Sequence, residues 1–133
     1  QAAIESAGTQ AGERIALVTR MREAQLMLTS AIRSAGLQTD GGQVNQDVEA
    51  YRSALKALTA AEQAFTALSL DETERGLLDK ASALRKQAEP VVDEAIRFTM
   101  AFAGDEAAKA LSERFAPIER EWSQQFAKLA ALQ

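Results

Sequence analysis

The chain has 133 residues, 15 Lys and Arg against 19 Asp and Glu, and neither His nor Cys. That length fits one domain. Without Cys there is no disulfide framework and no thiol nucleophile, and without His the commonest general base, the usual zinc ligand and the Glu-x-x-His iron motif of ferritin-like bundles are missing. A net charge of −4 and 5% aromatic residues argue against a nucleic-acid footprint, and two Pro and seven Gly leave room for long helices.

The apolar pattern is helical nearly throughout, and four helices are expected, at about 2–36, 43–68, 70–103 and 105–132. In the first, Leu17, Met21, Ala24, Leu28, Ala31 and Ala35 recur at steps of four and three, a heptad seam. Gln1-Ala2-Ala3-Ile4 has no cap, and Ala127 to Gln133 has no Gly or Pro stop. Both outer helices therefore read as cut off at one pole of the bundle and able to continue out of it, for instance into a membrane. Thr39-Asp40-Gly41-Gly42 reads as a loop. The second helix carries Val44, Val48, Tyr51, Leu55, Leu58 and Phe65 on one stripe, interrupted by Glu62.

Ser69-Leu70-Asp71-Glu72 reads as a capping box that starts the third helix, with Ser69 as the cap. The seam of that helix is Leu77, Ala81, Leu84, Ala88, Val91, Ala95, Phe98 and Phe102, and Gly104 is expected to supply a left-handed stop. Asp105 and Glu106 suit the next helix start, where the dipole favours negative charge. The fourth helix carries Ala108, Leu111, Phe115, Ile118, Trp122, Gln125, Leu129 and Leu132. Long amphipathic helices with short connections predict an all-α fold, an antiparallel up-down-up-down four-helix bundle filling the single domain 1–133. Pro90 and Pro117 fall inside helices. The plain reading is two tolerated bends, and the functional one is a local bulge that opens a pocket or tunes helix movement.

Enzymatic motifs are absent: there is no Gly-rich phosphate loop, nucleophile elbow or metal-spaced ligand set, so neither an enzyme nor a cofactor is expected. Asp71, Glu72 and Glu74 are explained as helix-start charge. No apolar run approaches the ~20 residues that span a bilayer.

The candidate site lies on the first helix, where Val18, Arg22, Gln25, Thr29 and Ile32 form a second stripe beside the core seam, with Arg33 next to Thr29. Guanidinium, amide and hydroxyl groups between apolar residues suit a carboxylate. The alternative is a charged surface with helix salt bridges. Arg114 falls at a height between Arg22 and Arg33, so the three could converge, within one subunit or across a two-fold axis. Phe115, Ile118 and Trp122 lie on the core seam of helix four, and a buried Trp122 needs a partner for its indole N–H.

Several short stretches resemble the four-helix-bundle ligand-binding domain of bacterial methyl-accepting chemotaxis receptors. Phe102-Ala103-Gly104-Asp105-Glu106-Ala107-Ala108-Lys109-Ala110-Leu111 is similar to that family's helix 3–4 junction, and Pro117 stands where such domains often carry a proline. Tyr51-Arg52-Ser53-Ala54-Leu55 and Leu70-Asp71-Glu72-Thr73-Glu74-Arg75 resemble its helix-two body and helix 2–3 junction. The resemblance implies a periplasmic domain between two transmembrane helices of an inner-membrane receptor, a parallel homodimer through helix one, and a piston-like slide of helix four. It also implies a ligand held near the membrane-distal end by helix-one Arg residues and by helix four beside the proline. Carried over, Arg33 is the best placed, Arg22, Gln25 and Thr29 follow, and Phe115, Ala116 and Ile118 mark the region on helix four. The closely spaced Arg series of the aspartate-sensing members is not reproduced, so a small aliphatic or aromatic carboxylate is expected rather than an amino acid. The other readings are a sensor bundle of a histidine kinase or cyclase, and a structural bundle with no small ligand.

Overall fold

A computed structural model describes the backbone of residues 2–133 and the side chains of residues 10–133. The expectation for Gln1 lies outside the described residues. The elements are α1 (Ala2–Leu37), α2 (Gly41–Thr66), α3 (Glu72–Met100), α4 (Gly104–Ala110), a π-helical turn (Leu111–Phe115) and α5 (Ala116–Ala131). The last three run on as one bent fourth helix. The described residues contain no strand. α1 packs most extensively on α2, α3 packs on α4 and α5, and α1–α5 and α2–α3 contacts close the ring. This is the expected up-down-up-down bundle, and its 36-residue α1 is about 54 Å long.

The caps differ from the sequence expectation. Asp71, not Ser69, caps α3: its carboxylate accepts from the Glu74 amide at 2.8 Å, and Glu74 accepts from the Asp71 amide at 3.2 Å. The box is therefore shifted by two residues, and α2 stops at Thr66, short of Leu68. At the other end, α3 stops at Met100 rather than 103, and the left-handed residue is Phe102 (φ 59°), whereas no glycine among the described residues has positive φ. The Ala103 amide donates to Phe98 O at 2.8 Å and the Phe102 amide to Thr99 O at 3.1 Å. Those two bonds make a Schellman end with a phenylalanine where glycine is usual.

The buried faces are wider than a heptad seam. On α1, Val18, Gln25, Thr29 and Ile32 are buried together with Leu17, Met21, Ala24 and Leu28. On α3 the core-facing residues are Leu78, Val92, Ile96 and Thr99 beside Ala81, Leu84, Ala88 and Ala95, while Leu77, Val91 and Phe98 flank the core and Phe102 is 80% exposed. On the fourth helix Ala107 and Ala110 face inward in place of Ala108, and Leu132 lies beyond α5. Glu62 does not interrupt its stripe. It is buried and accepts from Arg85 Nε at 2.8 Å, while Arg85 Nη1 reaches Glu89 at 3.1 Å. Burial acts to lower the Arg85 pKa, but the two carboxylates hold it above the ordinary arginine value. Burial, with Asp93 and Glu89 nearby, likewise pushes the Tyr51 phenol above its ordinary value of 10.0.

The two prolines behave differently. α3 runs through Pro90 without a break. Pro117 has no amide hydrogen, and its ring would crowd the Glu113 carbonyl in a regular α-helix. The preceding turn widens instead, and the Ala116 amide donates to Leu111 O, five residues back.

The strain at Phe102 gives a direct test. A non-glycine residue in the left-handed region costs about 1–2 kcal/mol, and glycine returns about 0.5–1 kcal/mol of that through unfolded-state entropy. Phe102→Gly should raise unfolding stability by about 0.5–1 kcal/mol in urea denaturation. A loss of stability would show that the Phe102 ring packs in solution.

Candidate functional site

Three of the predicted residues, Gln25, Thr29 and Arg33, lie along one line of α1 where it meets α5. Gln25, Thr29 and Arg33 are spaced by four, so they stand one above another on α1. α5 runs antiparallel and sets Ser123 and Glu119 opposite them. Gln25 Nε2 donates to Ser123 Oγ at 2.9 Å, and the Ser123 hydroxyl donates back to Gln25 Oε1 at 3.3 Å. Two turns along α1, Arg33 Nη2 donates to Glu119 Oε2 at 2.5 Å. The result is a ladder with two polar rungs. Thr29 stands between them, buried, with no partner for its Oγ1.

Two further orphan atoms lie in the same part of α5. Trp122 is 1% exposed and packs against Phe126, with ring centroids 6.3 Å apart. Its indole nitrogen has no partner, and neither has Gln125 Oε1, although Gln125 Nε2 donates to Glu121 O. Buried polar atoms are normally hydrogen-bonded, so these three are exceptions.

Beside the Arg33 rung is a groove of about 240 Å³ lined by Arg33, Gly36, Leu37, Ala108 and Leu111. Apart from the guanidinium its lining is aliphatic. A Cβ at Gly36 would come within 3.0 Å of Leu111 Cδ1, so the glycine permits the close approach of α1 to the π turn. The bulge expected at a proline thus forms one wall of a groove, at Pro117 and not at Pro90.

The three arginines do not converge within one subunit. Arg114 pairs with Glu94 of α3 at 2.8 Å and lines a different groove, with Phe98, Glu106, Lys109 and Glu113. Arg22 is exposed and has no ion-pair partner among the described residues. Heights along a bundle follow from residue counts, but the direction in which each helix turns its side chains does not. Phe115 and Trp122 are buried in the core, and Ile118 is half-buried against it. Sequence reasoning missed Glu119 and Ser123. Their four-residue spacing puts both on one face of α5, but nothing local in the sequence sets that face against Gln25 and Arg33. No cluster among the described residues could hold a metal ion, and no helix there is long and apolar enough to cross a membrane.

No family model and no curated protein matches the chain. The fold is similar to a solved structure described as the periplasmic sensor domain of a sensor histidine kinase. The TM-score is 0.83 at 20% identity, and the match covers all of this chain and 89% of that one. At that identity the likeness is one of fold.

The orphan at Thr29 can be tested in the absence of any ligand. Thr29→Val keeps the side-chain shape and removes a buried hydroxyl without a partner, so stability should rise by about 1 kcal/mol. A fall of that size in chemical denaturation would mean that the hydroxyl has a partner in solution.

Proposed function

We propose that this chain is an extracytoplasmic sensor domain of a transmembrane signalling protein, and that it binds a small organic acid near the membrane-distal end of the bundle. The observation that carries the reading is the aliphatic groove with one guanidinium at its rim. A guanidinium matches a carboxylate, and the aliphatic walls match a hydrocarbon body, which favours a monocarboxylate, aliphatic or aromatic, over a polyacid. Thr29, with an unpartnered buried hydroxyl, stands one turn deeper on α1, and Trp122 is a further residue with an unpartnered N–H on α5. Gln25, Phe115 and Ile118 are not among the residues that line the groove. Arg22 and Arg114 have no part in this groove and would act only from a second subunit.

The reading is of a binding module, with no reaction and no cofactor. Placement in the periplasm, anchored to the inner membrane by flanking helices, rests on the resemblance to chemotaxis receptors and on the description of the structural neighbour. The resemblance favours a chemoreceptor output, and the neighbour's description favours a histidine kinase. A homodimer through α1 is supported by the exposed Ile15, Leu26 and Leu37, spaced eleven residues apart and hence on one stripe of a straight helix. Signalling would follow from a ligand that binds two arrangements of α5 against α1 unequally.

A thermal-unfolding screen against propionate, hexanoate, benzoate, citrate and amino acids tests the reading. A monocarboxylate at a hundred times its dissociation constant should add about 2.7 kcal/mol of stability. Arg33→Ala should abolish that gain. A gain that survives the substitution would move the site, and no gain from any acid would favour a structural bundle.

A further inference from the structure

Arg33 already holds a carboxylate, and that carboxylate belongs to the protein. Glu119 is the more enclosed partner, its side chain 17% exposed against 52% for Arg33. The guanidinium therefore stands at a boundary, with Glu119 in the α1–α5 seam on one side and the aliphatic groove of Gly36, Leu37, Ala108 and Leu111 on the other. Arg33 is the one cation within ion-pair distance of Glu119 among the described residues.

We propose that Glu119 is an internal competitor for Arg33: a ligand carboxylate entering the groove draws the guanidinium away and releases the distal tie between α1 and α5. The inference rests on the carboxylate-sensing reading above and adds to it how the site is held closed and what its occupation changes. The bound ligand replaces a rung of the ladder rather than adding to it. The Gln25–Ser123 rung stays in place two turns deeper, and only the distal part of α5, next to the π turn, loses its link to α1. An element with one fixed rung and one exchangeable rung has two arrangements, and the ligand distinguishes them by its contact with Arg33.

The alternative is that Arg33 keeps Glu119 and takes the ligand as well. A guanidinium has donors enough for two carboxylates, and Arg85 in the same protein binds both Glu62 and Glu89. In that arrangement Glu119 orients the guanidinium, and its removal weakens binding. In the competitive arrangement its removal strengthens binding. The sign of the effect decides.

The experiment is calorimetric titration of hexanoate and benzoate into the wild type, Glu119→Gln, Glu119→Ala and Arg33→Ala, with a thermal melt of each to confirm folding. The glutamine variant keeps the side-chain shape, and the alanine variant removes any remaining hydrogen bond to Arg33. Exposed ion pairs of this kind contribute modestly, so both Glu119 variants should bind about two- to fivefold more tightly than the wild type. Binding by a Glu119 variant where the wild type shows none would support the inference equally. Unchanged or weaker binding in the Glu119 variants, with wild-type binding that needs Arg33, would overturn the inference and leave the sensor reading standing. No binding of either acid by the wild type or by the Glu119 variants would overturn both.

Discussion

The height of α5 against α1 is the constraint on which the distal half of this bundle depends. Apolar contacts are not directional and tolerate small slides between helices. Hydrogen bonds and ion pairs are directional and define discrete heights. Here the two rungs Gln25–Ser123 and Arg33–Glu119 both tie α5 to α1, eight residues apart on α1 and four apart on its antiparallel neighbour. The same register brings Leu111 against Gly36 and so shapes the groove beside Arg33.

The two polar seams of the molecule contrast with each other. Between α2 and α3, Arg85 satisfies Glu62 and Glu89 together, and removing one partner from such a buried pair would leave an uncompensated charge. That seam is fully satisfied. The α1–α5 seam is less complete, since Thr29 Oγ1 lacks a partner, as do Trp122 Nε1 and Gln125 Oε1 elsewhere on α5. A partly satisfied network holds less firmly than a complete one and leaves donors for something else to use. The proline at 117 adds to the difference. By forcing a wide turn over Leu111–Phe115, it places an irregular segment of the fourth helix at the groove, while the bundle beneath stays regular.

Periodicity made the fold legible, because every long helix carries apolar residues at helical spacing and every connection is short. It located the faces less well. A seam read at 3.5 residues drifts on a helix of 3.6, so Leu77, Val91 and Phe98 became flanking residues and Leu78, Val92 and Ile96 took the core. The helix ends were blurred by alternatives of similar quality: Ser69 and Asp71 can both cap, and Gly104 is a better left-handed residue than Phe102, yet the chain turns at Phe102. Partners distant in sequence were not legible at all. Glu62 looked like a break in a stripe because nothing local points to Arg85, and Arg33 was read as a ligand contact without its partner Glu119, which lies 86 residues away. Of the stripe Val18, Arg22, Gln25, Thr29 and Ile32, with Arg33 beside it, all but Arg22 and Arg33 are buried. Sequence alone did not show that its neighbour is α5 of the same subunit, nor that Arg22 and Arg114 look elsewhere.

If Glu119 competes with a ligand for Arg33, a carboxylate bound there is felt inside the α1–α5 seam. Trp122 is the only tryptophan in the chain, and it stands one turn from Glu119 and next to Ser123 in sequence, so its indole N–H gives a single unambiguous signal there. The most direct measurement is the ¹⁵N–¹H indole resonance of the labelled protein during titration with hexanoate or benzoate. A saturable shift of that resonance is expected in the wild type and none in Arg33→Ala. Calorimetric binding of the same acid with an unmoved Trp122 resonance would contradict it.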